Sequence, residues 1–329
     1  MKICSVIVTY GDRFHLLKQV INACFKEGVD KVIVVDNAST KSSKKQLQEF
    51  EKQNKNKLKV IYLDKNTGSA GGYKRGLEEA YKCKECEFIW LLDDDNEPQK
   101  NSLKILKEFW NKLDEEDKEE KIALLSYRPD RIQYKEAIMT NNPNLVLGRK
   151  NSFLGFHIFD LPKKVVRLMK RKFGIKTFKE YENIKTGKVA VAPYGGMFFN
   201  KKIIDKVGYP REEFFVYADD HEWSYRITKN GGEIFLVLDS ELKDIDKSWN
   251  IASSVIESFD KGSNFRIYYS TRNRIFFEKQ NLITNKIIYF INMWLYKKRL
   301  QLLMKNKDNF KVFKKAMNDG LKNKLGRTL

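Results

Sequence analysis

The 329-residue sequence has no apolar run approaching the roughly 18 residues that a bilayer-spanning helix needs. Its N-terminus, MKICSVIVTYGDR, lacks the charged start, apolar core and small-residue cleavage site of a signal peptide, so the expectation is a protein that stays in the cytosol. Cysteine is scarce: Cys4, Cys24, Cys83 and Cys86 are too few for a disulfide scaffold in a chain of this size, and a reducing compartment keeps them as thiols. Cys83 and Cys86 form a CxxC, but no second pair exists and the motif closes a helical stretch instead of opening one after a strand. Structural cysteines are therefore expected, against zinc or redox chemistry. Internal repeats, low-complexity tracts and the standard nucleic-acid motifs are missing as well. Acidic residues are outnumbered, 43 against 63 Lys and Arg, giving a formal charge of +20 and a standing attraction to nucleic acid, anionic headgroups or phosphate-bearing substrates. Charge alone does not choose among them.

What is present suffices for a core: 42% of the residues are apolar, and the length allows a catalytic domain of about 200 to 250 residues with an appendage. In the first half, short apolar runs at Ile3–Thr9, Lys31–Asp36, Leu58–Leu63 and Phe88–Leu92 alternate with helical patterns at Phe14–Lys26, Ser42–Gln53 and Ala70–Tyr81. That series predicts α/β architecture with a parallel, doubly wound sheet, in which ligands bind beyond the carboxyl ends of the strands. Polar residues stand at each of those ends: Thr9, Tyr10 and Arg13, then Asp36-Asn37, then Asn66 to Gly72, then Asp93-Asp94-Asp95. An acidic connection at Asp114–Glu120 and a strand at Ile122–Ser126 follow. The pattern weakens across residues 128–187, which include a basic amphipathic segment, Lys163–Lys179, with eight Lys/Arg and no acid. It resumes with Val189–Asn200, interrupted by Gly195-Gly196, a helix from near Asp219 to Gly231-Gly232, and a strand at Glu233–Leu238. Three helical segments, Asn264–Lys279, Lys286–Lys305 and Asp308–Lys324, close the chain. The expected division is a catalytic domain over 1–245, with a basic insertion at about 128–187, and a basic helical region over 246–329.

Three features can carry chemistry, each with a plain structural reading beside it. The carboxylates of IWLLDDD repel one another unless a cation or hydrogen-bond donors compensate them. They form either a solvated turn or a site for a hard divalent ion, Mg²⁺ or Mn²⁺, completed by substrate phosphates. NTGSAGGYKRG puts small residues where a strand passes into a helix. This suits close backbone approach to an anion, or else simple helix packing. In FFVYADDHEW, Asp219, Asp220 and Glu222 enter a helix, where acids serve as caps or where one takes a proton from an attacking hydroxyl.

The ordered set VIVTYGDR, VVDN, NTGSAGG, LLDDD, YGGMFF and ADDHEW resembles the family-2 inverting glycosyltransferases of the GT-A fold over about residues 3 to 245. The resemblance implies a nucleotide-sugar donor bound by Thr9, Tyr10, Arg13, Asp36, Asn66, Gly68, Ser69, Gly71, Gly72, Asp93 and Asp94. It implies a metal held by Asp93 and Asp95. It further implies Asp220 as catalytic base with Asp219 beside it, and an acceptor side formed by Gly195, Gly196, Glu222 and Trp223. The family often has a histidine metal ligand after the last strand, where this chain reads LDSELKDID. Asp244 then replaces it or the third ligand lies elsewhere, His221 being the lesser substitute.

The combination NTGSAGG, triple Asp and DDHEW looks most like the galactofuranosyltransferase branch, using UDP-galactofuranose, with dTDP-rhamnose transferases as the alternative. The acceptor expected is a glycan or polyprenyl-linked glycan. From Lys286 to Arg327, twelve Lys/Arg face two Asp, and IIYFINMWLY is apolar and aromatic, so peripheral docking on an anionic membrane surface is expected as well. Nucleic-acid binding is the reading from another class. It is not favoured, because the aromatics sit in apolar runs away from the basic clusters.

Overall fold

The computed structural model describes residues 1–160, 184–246 and 254–328. The basic segment Lys163–Lys179 lies outside them. The chain divides into two compact units, residues 1–147 with 185–249, and residues 148–184 with 250–329. Part of the expected insertion counts with the C-terminal helices.

In the first unit, β1 (Ile3–Thr9), α1 (Phe14–Lys26), β2 (Lys31–Asn37), α2 (Lys41–Gln53), β3 (Leu58–Leu63), α3 (Gly68–Lys82) and β4 (Phe88–Asp93) reproduce the predicted alternation. The β-branched runs of β1 and β2 are buried on both faces, as strands covered by helices require. Thr40 caps α2 by accepting from the Ser43 N–H. Next come β5 (Asn96–Pro98), α4 (Ser102–Lys112), α5 (Lys118–Lys121), β6 (Ile122–Tyr127), α6 (Ile132–Met139), β7 (Thr186–Val189), β8 (Met197–Asn200), α7 (Ile203–Val207), α8 (Asp219–Lys229) and β9 (Glu233–Asp244). The strands order as β3-β2-β1-β4-β8-β6-β9-β5, with β7 also on β9. The pairings set β1, β2, β3, β4, β6 and β9 running one way and β5, β7 and β8 the other, so the sheet is mostly parallel. This is the expected α/β class.

Two differences matter for the site. Val189–Asn200 is not one broken strand but two: β7 lies on β9, whereas β8 inserts antiparallel between β4 and β6. Gly196, at φ +106, turns the chain between them, in a backbone region that residues with a Cβ rarely adopt. β9 also runs on to Asp244, where its end pairs with β5 (Asn96 opposite Asp244), bringing the chain beside the triple Asp.

A third difference concerns the cysteines, which were expected as free thiols. Cys4 is the second residue of β1 and Cys86 lies two residues before β4, its parallel neighbour, and the two are joined as a disulfide with Cα atoms 5.5 Å apart. Their separation of 82 residues hides that adjacency from a reading by spacing.

In the second unit, α9 (Val255–Lys261), α10 (Asn264–Asn281), α11 (Lys286–Leu303) and α12 (Lys307–Leu321) surround an aromatic core that includes Phe153, Tyr289, Tyr296 and Phe313. Ser263, Asn285 and Asn306 cap α10, α11 and α12 with their side chains. Asn151 ties the residues that follow the first unit's Leu147 to these helices. Its Oδ1 accepts from the Thr284 and Asn285 N–H groups at 2.7 Å, and its carbonyl accepts from Asn292 Nδ2 at 2.8 Å. Buried Glu278 accepts from Arg274 Nε at 2.9 Å and from the Tyr289 hydroxyl at 3.3 Å.

Candidate functional site

The parallel registers bring the carboxyl ends of β1, β2 and β4 side by side, Thr9 opposite Asp36 and Val8 opposite Asp93. Asp36 is fully buried. One carboxylate oxygen accepts from the Ser39 N–H at 2.9 Å, and the other is buried with no hydrogen-bond partner. An orphaned carboxylate oxygen costs stability unless a donor arrives, so it marks a position where a ligand N–H or O–H is accommodated.

The three consecutive aspartates diverge. Asp93 Oδ1 accepts from the Tyr73 hydroxyl at 2.7 Å, and its Oδ2 lies 3.3 Å from an Arg128 guanidinium nitrogen. Asp94 turns inward, 3% exposed, and accepts from Thr9 Oγ1 at 2.7 Å and from Arg13 at 3.0 Å. It was expected to touch the donor. Its oxygens are instead spent on fixing Thr9 and Arg13, and burial raises its pKa. Asp95 accepts from Arg13 at 2.8 Å and from Asn96 Nδ2 at 3.0 Å. Arg13 reaches Asp246 at 2.7 Å as well and stacks beside Tyr10, whose ring is 41% exposed.

Asp244 joins this cluster. Asn96 Nδ2 donates to one of its oxygens at 2.6 Å and Arg128 to the other at 2.5 Å. Five carboxylates, Asp93, Asp94, Asp95, Asp244 and Asp246, thus share two guanidinium groups. The excess negative charge shows in the acidities. Burial first, then Asp93 and Asp94, push Asp95 up to about 7, and burial pushes Asp244 to about 6 against the pull of Arg128. These hard oxygen donors fit a divalent cation held by one or two carboxylates and completed by phosphate oxygens. They do not form a closed protein cage. Among the described residues, the one group of three His, Cys, Asp or Glu side chains with ligand atoms all within 4.8 Å is Cys4, Cys83 and Cys86, two of which are in the disulfide.

Gly195 belongs to the same wall: a Cβ there would lie 2.0 Å from Asn96 Oδ1 and 2.7 Å from Asp93 Oδ2. Glycine is what lets the chain pass this close to the carboxylates.

The NTGSAGG segment is tied down from several sides. Asn37 bridges it, donating to the Gly68 carbonyl at 2.9 Å and accepting from the Thr67 N–H at 2.8 Å. The Gly68 N–H goes to Asn66 Oδ1 and the Ala70 N–H to the Phe215 carbonyl, so part of the helix N-terminus is already satisfied within the protein. Gly72 and Gly76 press against Val8 and Val6 of β1, the packing use of glycine, and Gly71 lies against Thr67. Ser69 points the other way, and its hydroxyl donates to Asp219 Oδ2 at 2.8 Å.

Asp219 and Asp220 open α8 after a stretch in which Phe215, Tyr217 and Ala218 all have positive φ, strain of the kind that functional turns retain. Asp219 is 3% exposed. Burial, then the neighbouring Asp220, push its pKa up to about 8, despite the Ser69 hydrogen bond. Asp220 is half-buried and accepts from the His221 N–H at 2.8 Å. Tyr73 and Tyr194 connect this pair to the aspartate cluster, their rings 4.1 Å apart between Asp93 and Asp219. Two expected acceptor-side residues differ. Trp223 is fully buried and gives its indole N–H to the Gly208 carbonyl, and Glu222 is engaged by both ends of the Arg226 guanidinium. Both hold α8 in place. His221 pairs with the Tyr134 hydroxyl at 3.1 Å.

Arg128, Asn96, Tyr73 and Asp246 escaped the sequence reading. Arg128 follows the end of β6, where the strand-end rule that found the others would have found it too. Tyr73 and Asn96 carried no signal beyond proximity to a motif.

Residues 5–117 match the family described as glycosyl transferase family 2. No curated protein gives a significant match. Solved structures of similar fold include the mannosyltransferase PcManGT from Pyrobaculum calidifontis in complex with GDP-Man and Mn2+, at TM-score 0.54 and 12% identity over 100% of this chain and 76% of that one. GalNAc-T7 with UDP, GalNAc and Mn2+ gives TM-score 0.53 and 13% identity, covering 98% of this chain and 57% of that chain. TarS of S. aureus gives 0.50 and 14%, over 97% and 55%. The chain thus spans little more than half the length of the latter two proteins. At these identities the likeness is one of fold, and the fold is GT-A.

Proposed function

We propose that this chain is an inverting, metal-dependent glycosyltransferase that transfers galactofuranose from UDP-galactofuranose to a cell-surface glycan or polyprenyl-linked acceptor at the cytoplasmic face of a membrane. One observation carries the proposal: carboxylates of three different uses converge at one edge of a GT-A sheet. These are the half-orphaned Asp36, the Asp93–Asp95–Asp244 cluster, and the Asp219–Asp220 pair. The family-2 match over residues 5–117 and the nucleotide-bound structures of like fold support the same reading.

In this reading, Asp36 accepts from an N–H of the nucleoside base with its free oxygen. Asp93 and Asp95, with Asp244 beside them, would hold a divalent cation, whose charge would offset the negative charge that develops on the leaving diphosphate. Arg13 and Arg128 keep the carboxylates apart and aimed. Asp219 stays protonated near neutral pH and fixes Ser69, leaving Asp220 to accept the proton of the acceptor hydroxyl. The hydroxyl oxygen forms its bond to the anomeric carbon on the face opposite the departing nucleoside diphosphate, so configuration there inverts.

The test is a screen of nucleotide sugars for metal-dependent release of UDP or dTDP by the pure protein with lipid-linked acceptors. Release from UDP-galactofuranose is expected. Release from dTDP-rhamnose alone would reassign the donor, and no release from any donor would overturn the reading.

A further inference from the structure

Helix α11 (Lys286–Leu303) is apolar on two opposite sides. One side, Tyr289, Asn292, Tyr296 and Leu300, is buried in the helical unit. On the other, Ile287, Phe290, Ile291 and Trp294 fall three and four residues apart, which puts them on one stripe of the helix surface, and they are 72%, 48%, 45% and 57% exposed. Leu302, 79% exposed, extends the same stripe by two turns. A helix apolar all round is ordinarily buried all round, and a run of exposed large side chains of this kind marks an interaction surface. Along the helix the charge is of one sign. Lys298 lies within the stripe and is exposed, as are Lys286, Arg299 and Lys305 around it, and α11 contains no acid. No described helix is long and apolar enough to cross a membrane.

We propose that this outward face of α11 docks the protein on an anionic bilayer, lying in the headgroup layer with Phe290 and Trp294 inserted and the lysines on lipid phosphates. An apolar aromatic stripe edged by Lys and Arg matches the two layers of such an interface, acyl chains for the rings and anionic headgroups for the cations. A bilayer suits this face better than an acidic protein partner, because the exposed side chains are large, contiguous and flanked by long snorkelling bases instead of by hydrogen-bonding polar groups. The inference deepens the proposed membrane-bound acceptor but does not depend on sugar transfer.

The experiment uses the full chain with phosphatidylcholine vesicles, with and without phosphatidylglycerol, at low salt. The wild type is expected to sediment with the anionic vesicles alone. It should also show a blue shift of Trp fluorescence that is smaller in Trp294→Phe, since Trp90, Trp110 and Trp223 are already buried and Trp249, outside the described residues, is common to both proteins. The double variant Phe290→Ser, Trp294→Ser should lose about tenfold or more in vesicle affinity. Lys286→Gln with Lys298→Gln should weaken binding and reduce its salt dependence. All variants should keep the wild-type circular dichroism and UDP binding. Equal vesicle binding by wild type and the Phe290/Trp294 variant would overturn the assignment. So would self-association of the wild type in ultracentrifugation that the same variant abolishes, since the face would then belong to a second copy. Failure of the wild type to bind anionic vesicles, with UDP binding intact, would sink the docking proposal alone, and vesicle binding without UDP binding would sink only the glycosyltransferase reading.

Discussion

Arg128 donates from one guanidinium nitrogen to Asp93 Oδ2 at 3.3 Å and from another to Asp244 Oδ2 at 2.5 Å, tying the end of β4 to the end of β9. The side chain is 6% exposed, so Asp93 and Asp244, two of the three carboxylates in the metal reading, depend on a cation far from solvent screening. Removing one partner of such a buried group leaves the others uncompensated. Arg128→Gln should therefore lower unfolding stability by about 3 kcal/mol or more. Arg131→Gln, which removes a side chain 42% exposed and paired with Asp130, should cost under about 1 kcal/mol. Urea unfolding of both variants checks this, and equal losses would mean that Arg128 does not hold the cluster.

The metal reading makes a prediction that does not depend on the sugar. If Asp95 acts on the nucleotide through a divalent ion, Asp95→Asn should weaken UDP binding in the presence of Mn²⁺ and leave metal-free binding near the wild-type level. Calorimetric titration of UDP with and without Mn²⁺ measures both. UDP affinity that is equal with and without Mn²⁺, in wild type and variant alike, would remove Asp93 and Asp95 from the ligand set.

Asp219 gives a pH signature in stability. Its pKa is about 8 in the folded protein and about 4 in an unfolded chain, so the native state holds the proton more tightly. Below about pH 4 both states carry the proton and the native state pays nothing. From there up to about pH 8 the unfolded chain alone has released it, so stability falls as pH rises, by at most about 1.4 kcal/mol per pH unit. Asp219→Asn cannot ionise and should lose that slope, gaining on the wild type from pH 5 to pH 8. Parallel stability profiles for the two proteins would show that Asp219 is ionised as readily in the fold as out of it.

How much of this was legible beforehand follows from the length scale of each signal. β1, β3 and α1 were read to the residue, because a local apolar period is enough to define a half-buried element. Local acidity likewise pointed to Asp93, Asp95 and Asp219–Asp220. What was not legible is pairing across the chain. The Cys4–Cys86 neighbourhood, the insertion of β8 between β4 and β6, and the Arg128–Asp244 contact each join segments with no common local pattern. Asp94 and Trp223 illustrate the opposite error. A motif identifies residues near a site without saying which way each side chain turns, and these two turn inward. α4, which lies outside the expected elements, carries the same local signal in the helical period of Leu103, Leu106 and Trp110.

The last prediction separates the two acids that open α8. Asp219 is buried, takes a hydrogen bond from Ser69, and holds its proton at neutral pH, so it is poorly placed to take another. Asp220 is more accessible and gives one oxygen to the His221 N–H within the first turn of α8, which leaves the other oxygen for an acceptor hydroxyl. A carboxylate acting as general base contributes about 10²- to 10⁴-fold to the rate, whereas a local hydrogen bond of this kind contributes nothing directly to turnover. Asp220→Asn preserves shape and an accepting oxygen, so it should fold normally and bind UDP with metal near wild-type affinity, while losing at least about 100-fold in kcat. Asp219→Asn should lose much less. Turnover by Asp220→Asn within a few-fold of wild type on the true acceptor would place the base elsewhere, and a larger loss in Asp219→Asn than in Asp220→Asn would transfer the role to Asp219.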